Sequence, residues 1–164
     1  MPTEIERKFL VRGDEWRTDH PKRYRQGYLT RDRERSVRVR LIEDEAGERG
    51  FLTIKGVSRG AARAEYEYAI PPADAREMLD SLCLHPLIEK DRHRVNYDGL
   101  LWEIDEFFGD NAGLIMAEVE LKSENQEVPL PPWIDREVTG NPSYFNANLS
   151  SHPYSEWSEA EKKE

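Results

Sequence analysis

Near the start of the chain, Glu4-Ile5-Glu6-Arg7-Lys8 sets two carboxylates and a lysine on alternate positions. Side chains of an extended strand alternate between faces, so Glu4, Glu6 and Lys8 share one face while Ile5, Arg7 and Phe9 take the other. Two carboxylates so placed can converge on one cation; the plainer reading of a single such strand is a solvated stripe opposite an apolar face. The spacing returns, however. Arg38 pairs with Arg40, Glu65 with Glu67, Arg92 with Arg94, Glu103 with Asp105, and Glu118 with Glu120 and Lys122, while Thr53-Ile54-Lys55 repeats it more weakly. Val37, Val39 and Leu41 flank the first of these pairs, Tyr66 and Tyr68 the second glutamate pair, Trp102 and Ile104 the next, and Val119 and Leu121 the last. Separately solvated faces would mix their signs, whereas most of these strands carry one sign, acidic alternating with basic along the chain. That order points to one shared cavity.

The elements that must position these residues are mainly strands, near residues 4 to 11, 24 to 30, 36 to 43, 50 to 56, 64 to 70, 90 to 97, 100 to 108 and 115 to 122. Turn formers separate most of them: Glu45-Ala46-Gly47-Glu48, Gly56 to Gly60, Asp98-Gly99 and Gly109-Asp110-Asn111. Asp98-Gly99 between two apolar-rich runs is a strong two-residue hairpin signal, and the sheet is expected to be mainly antiparallel. One amphipathic helix is predicted from Pro72 to Leu82, with Ala75, Met78, Leu79 and Leu82 on one side, and a short one from Ser143 to Leu149. Residues 153–164 form a charged C-terminal tail, expected to fray unless Trp157 docks it; residues 1–152 form one domain.

Eight such strands can close into a barrel, which removes the edges and defines an inside. Either Val37, Val39, Leu41, Leu52 and Ile54 fill a dry interior, or the apolar face turns outward and the charges line a cavity. The second arrangement encloses eight carboxylates (Glu4, Glu6, Glu65, Glu67, Glu103, Asp105, Glu118, Glu120) and seven bases (Lys8, Arg38, Arg40, Lys55, Arg92, Arg94, Lys122). Near-balance is what such an interior requires, since unpaired buried charge is costly. Periodicity alone does not choose between the two.

Composition narrows the function classes. A net charge of -9 and a pI near 5.1 exclude a broad basic surface for nucleic acid or anionic membrane, so an anionic ligand needs a locally basic site. No apolar run approaches the ~20 residues of a membrane span, and Met1 to Val11 lacks the apolar core of a signal peptide, so a cytoplasmic location is expected. Cys83 is the single cysteine, which leaves no internal disulfide and no cysteine-based zinc site. The four histidines lack metal-ligand spacing, no serine sits in a Gly-x-Ser-x-Gly elbow, and Gly56 to Gly60 lacks the Lys-Ser/Thr of a phosphate-binding P-loop.

Glu4-Ile5-Glu6-Arg7-Lys8 resembles the ExExK signature of the CYTH family, the triphosphate tunnel metalloenzymes. The resemblance spans roughly residues 3 to 150 and includes Gln26-Gly27-Tyr28-Leu29-Thr30, Arg38 and Arg40, Lys55, Glu65 and Glu67, Arg92 and Arg94, Asp105, and Glu118 with Glu120. It implies a mainly β (α+β) fold, an eight-stranded antiparallel barrel with a few flanking helices and its charges inside. It also implies Mg²⁺ or Mn²⁺ as cofactor and hydrolysis of a triphosphate, foremost inorganic triphosphate, with ATP weaker. The residue types suit that chemistry. Glu4, Glu6, Asp105, Glu118 and Glu120 are candidate metal ligands, because hard divalent cations take a few carboxylates plus phosphate oxygens and water. Lys8, Arg38, Arg40, Lys55, Arg92 and Arg94 are candidate phosphate clamps. Lys8, Glu65, Glu67 and Glu118 are the candidate catalytic groups, the glutamates by holding a second metal or accepting the proton of water.

Expected partners are therefore a small triphosphate (inorganic, possibly ATP or thiamine triphosphate), with no nucleic acid or membrane, on a monomer or homodimer. Thiamine triphosphatase, a class IV-type adenylyl cyclase and a non-catalytic polyphosphate or nucleotide sensor are the alternatives on this scaffold. An ordinary small barrel serving as an interaction module is a third class. A sensor would need the bases without the acids, so the six glutamates at positions 4, 6, 65, 67, 118 and 120 favour catalysis. The segment Pro142 to Leu149 resembles a short helix near one tunnel mouth, where Tyr144, Asn146 and Leu149 either narrow the opening or cover the outer barrel.

Overall fold

The computed structural model describes residues 3–32 and 34–163. Nine strands run in chain order: β1 (Thr3–Val11), β2 (Lys22–Arg31), β3 (Arg35–Asp44), β4 (Gly47–Gly56), β5 (Ala62–Ile70), β6 (Ile88–Tyr97), β7 (Leu100–Phe107), β8 (Ile115–Glu120) and β9 (Ile134–Glu137). The sheet order is β5-β4-β3-β2-β6-β7-β8-β1-β9, every pairing is antiparallel, and β5 also pairs with β1. The first eight strands therefore close on themselves. Strand β1 serves two neighbours along one edge: Thr3 to Ile5 pair with β5, and Phe9 and Val11 with the additional strand β9. A closed ring leaves no free edge on the eight main strands.

The α-helices among the described residues are α1 (Pro72–Ser81) and the single turn α2 (Asn146–Leu149). Pro72 suits the first position of α1, where its missing N–H costs nothing. Ala75 and Leu79 of α1 bury against Val39 and Leu41 on the apolar face of β3, together with Cys83 just beyond the helix. The hairpin expected at Asp98-Gly99 is present, with φ of 49° and 83°, the positive pair that matches a two-residue turn to strand twist. Gly27 answers a different need: a Cβ there would lie 2.7 Å from Leu87 Cδ2 and 2.8 Å from Cys83 Cβ, so the segment after α1 can press against β2.

On β1, β7 and β8 the outward apolar side chains are covered, whereas Ile54 of β4 and Tyr66 and Tyr68 of β5 stay exposed. Phe9, Trp102, Ile104, Ala117 and Val119 pack with Trp16, Trp133 and Ile134 from the connecting segments. The charged face thus points in, as the resemblance implies and periodicity alone left open. A third cluster fills one end of the barrel, where Ile88, Phe107 and Met116 of the inward faces meet Val138, Tyr144, Leu149 and Trp157 of the C-terminal segment. The tail does not fray over its described length. Trp157 is buried, with its ring 5.0 Å from Tyr144 and 5.1 Å from Tyr154, and Arg136 donates to the carbonyls of Lys162 and Lys163.

Candidate active site

The inward face of β1 reads Glu4, Glu6, Lys8, and then Leu10, which joins the apolar cluster at the filled end. Strand register brings the other charges around this line: Lys8 lies opposite Glu118, Glu6 opposite Glu120, Arg38 opposite Thr53, Thr53 opposite Glu67, Lys55 opposite Glu65, and Glu118 opposite Glu103. They enclose a cavity of about 660 Å³. That is within the roughly 300–1,000 Å³ common for small-ligand sites. Glu4, Glu6, Lys8, Arg38, Arg40, Lys55, Glu65, Glu67, Arg92, Glu103, Glu118 and Glu120 all line it.

The charges are cross-tied rather than free. Lys55 Nζ donates to both oxygens of Glu4, at 2.8 and 3.1 Å, and lies 3.4 Å from Glu65. Lys8 Nζ stands between Glu6 at 3.8 Å and Glu118 at 3.9 Å. Arg38 Nη2 donates to Thr53 Oγ1 and lies 3.6 Å from Glu67, while its buried Nε finds no acceptor among the described residues. The guanidinium groups of Arg40 and Arg92 each lie 4.7 Å from the ring centroid of Tyr24. An aromatic face can hold a cation without neutralising it.

Burial and neighbours set the proton equilibria. Burial, reinforced by the like charge of Glu118 and opposed by Lys8, pushes the Glu6 carboxyl up to about 8. Burial raises Glu4 as well, against the pull of Lys55. Glu118 goes the other way: burial opposes its ionisation, but Lys8 and Arg92 hold it well below the usual carboxylate range. Burial, with Arg38 and Arg92 close by, lowers Arg40 to about 10. The cavity thus sets a strained acid pair against crowded cations. A metal bound to a polyanion would relieve both.

Two of the expected site residues lie away from the cavity wall. Asp105 is placed as a metal ligand by the resemblance, yet Arg92 takes its two oxygens at 2.7 and 2.8 Å, Lys90 binds the second at 2.7 Å, and Asp105 does not line the cavity. With burial outweighed by Arg92 and Lys90, it stays ionised and serves as the anchor of these two bases. Arg94 is expected as a phosphate clamp, but it lies nearer the β6–β7 hairpin, is half-exposed, pairs with Glu103 at 3.7 Å and does not reach the cavity. Lys122 falls beyond the end of β8 and is exposed.

Other lining residues were not assigned to the site from sequence, although Tyr28 lies in the stretch that carries the resemblance and Asn146 is a candidate there for narrowing one mouth. Lys90 is fully buried beside Asp105 and continues the Lys90, Arg92, Arg94 alternation one step earlier; Arg63 does the same ahead of Glu65 and Glu67. Both were legible as spacing, but Arg63 breaks the single-sign pattern of its strand. Arg31, Tyr28, Phe145 and Asn146 also line the cavity, and Phe145 lies 5.1 Å from Lys8 Nζ and 5.8 Å from Arg63. No sequence periodicity marks Phe145 or Asn146, because they arrive on a turn.

The sequence profile of the CYTH domain matches residues 2–153. The chain belongs to the CYTH family. Curated CYTH relatives include an inorganic triphosphatase from Acetivibrio thermocellus, 48% identical over 160 residues, covering 97% of this chain and 100% of that protein. An inorganic triphosphatase from Nitrosomonas europaea is 38% identical over 151 residues, covering 90% of this chain and 97% of that protein. In three dimensions the chain is similar to the crystal structure of the inorganic triphosphatase NE1496, at TM-score 0.63 and 34% identity, over 92% of this chain and 95% of that one. No described helix is long and apolar enough to cross a membrane.

The CYTH family implies a divalent metal, and the residues present fit one. Among the described residues no group of three or more His, Cys, Asp or Glu side chains stands ready to hold it. Mg²⁺, however, is commonly held by one or two carboxylates together with substrate phosphates and water. Glu6 and Glu118, both within 4 Å of the Lys8 ammonium, are such a pair, and their mutual repulsion is what a cation would remove.

Proposed function

We propose that this CYTH protein hydrolyses inorganic triphosphate to pyrophosphate and phosphate with Mg²⁺ or Mn²⁺, and acts more weakly on nucleoside triphosphates. The observation that carries the reading is the composition of the cavity wall: buried arginines and lysines face a cluster of carboxylates inside a closed barrel. The two curated relatives called inorganic triphosphatases support the choice of substrate.

Arg38 and Arg40 would grip phosphate oxygens with their forks, and Lys8, Lys55 and Arg92 would add charge along the chain. Glu4, Glu6, Glu118 and Glu120 would hold the metal, which when bound supplies neutralisation of the phosphate oxygens. Glu65 and Glu67 would orient the attacking water. Its oxygen forms a bond to the terminal phosphorus, the bridging P–O bond to the leaving pyrophosphate breaks, and the water proton passes to a carboxylate. Positioning and charge stabilisation carry most of such a reaction. A cytoplasmic location belongs to the same proposal.

A phosphate-release screen tests it, using inorganic triphosphate, ATP, thiamine triphosphate and pyrophosphate with and without Mg²⁺ or Mn²⁺. Metal-dependent release, fastest from inorganic triphosphate, is expected. Preference for thiamine triphosphate or ATP would reassign the substrate, and binding without release would make the protein a sensor.

A further inference from the structure

Two neutral amides sit where the cations of the cavity meet the C-terminal segment. Asn146, the first residue of α2, accepts through Oδ1 from Lys90 Nζ at 2.9 Å and from Gln26 Nε2 at 2.9 Å. Gln26, fully buried on β2, in turn accepts through Oε1 from Arg40 Nε at 2.8 Å. Among the described residues this is the one side-chain hydrogen bond to Arg40, and it leaves both Nη groups for another acceptor.

The residue type matters as much as the geometry. Lys90, Arg92 and Arg40 crowd together; Asp105 binds Lys90 and Arg92 closely, and Glu103 lies 3.6 Å from Arg92. A further acid would satisfy their hydrogen bonds but cancel the charge that attracts an anion. An amide oxygen accepts the same bonds and leaves that charge in place. The relay is anchored from outside the cavity, since Tyr144 and Leu149 on either side of Asn146 are buried in the apolar cluster at the filled end. Backbone placement of α2 is thereby transmitted to two basic groups on β3 and β6.

We propose that Asn146 and Gln26 are positioning residues for the phosphate chain, an uncharged relay by which the C-terminal turn aims Lys90 and Arg40 at a bound triphosphate. The inference rests on the triphosphate reading of the cavity but not on turnover.

The test is the dissociation constant of inorganic triphosphate, measured by calorimetry in EDTA so that hydrolysis does not intervene, for wild type, Asn146→Ala, Lys90→Ala and the double variant. Loss of a charge-assisted contact should weaken binding roughly tenfold in Asn146→Ala. The double variant should bind more weakly than Lys90→Ala, because the Gln26–Arg40 branch is lost as well, but by clearly less than the factor Asn146→Ala costs in wild type, since part of that factor acts through Lys90. Unchanged affinity in folded Asn146→Ala, additive effects, or no binding by wild type would each overturn the proposal. Should the alanine variant fail to fold, Asn146→Asp keeps both acceptor contacts. It should melt at or above the wild-type temperature yet bind triphosphate more weakly, and unchanged affinity there would overturn the relay equally. Absent hydrolysis by wild type with metal would remove the enzymatic reading while leaving these binding results to decide the relay.

Discussion

At the scale of single residues, the most exposed consequence of the site is the proton held by Glu6. Burial and the adjacent Glu118 raise its carboxyl to about 8 in the metal-free protein. Below that pH a proton competes with the cation, so metal uptake should release it, and apparent Mn²⁺ affinity should rise with pH until about 8 and then level. Between pH 8 and pH 6 the full effect of one such group is up to about a hundredfold. Mn²⁺ titrations followed by calorimetry at pH 6, 7 and 9 check this, and an affinity flat across the range would separate Glu6 from the metal. Spacing put Glu4, Glu6, Lys8, Arg38, Arg40 and the later glutamates on shared strand faces, and the family resemblance, not the spacing, turned those faces inward. Neither could foresee that Asp105 would be consumed by Arg92 and Lys90, because the competition between one carboxylate and two bases is decided by depth in the barrel.

At the scale of elements, the eight strands and α1 follow from alternation and turn chemistry, and their observed bounds differ from the expected ones by a few residues. Strand β9 was not legible: four residues after Pro129 to Pro132 are too few for a period to show, and Phe9 and Val11 of β1 supply its partners. The C-terminal segment was legible in part. The helix near Ser143 to Leu149 exists as a short turn, but its apolar residues and Trp157 fill a barrel end, a tertiary contact that local pattern does not encode. Trp157→Ala should therefore destabilise the fold by about 3 kcal/mol, in the range for large buried aromatics. Urea unfolding monitored by circular dichroism measures it, and a loss below about 1 kcal/mol would show the tail to be dispensable. Deleting residues 143–164 removes Tyr144 and Leu149 as well and should leave an insoluble chain, in keeping with packing at the barrel end.

At the scale of the whole molecule, a closed barrel carries its charges inward and its apolar side chains outward, the reverse of a dry-cored barrel. Such an interior is held together by cross-ties and improved by a ligand that binds only the folded state. At a hundredfold excess over its dissociation constant, a slowly hydrolysed triphosphate analogue with metal should add about 2.7 kcal/mol and raise the melting temperature, whereas sulfate at equal ionic strength should add much less. Equal melting in the two solutions would argue against a specific polyanion site. The central claim is that this cavity cleaves inorganic triphosphate and that Glu6 serves the reaction through its charge. The most direct measurement follows the products by ³¹P NMR at saturating Mg²⁺ or Mn²⁺, for wild type and for Glu6→Gln shown by circular dichroism to be folded. One phosphate and one pyrophosphate per triphosphate are predicted for wild type, with turnover lower by about a hundredfold or more in the variant. Near-normal turnover in Glu6→Gln, or no metal-dependent cleavage by wild type, would contradict the account.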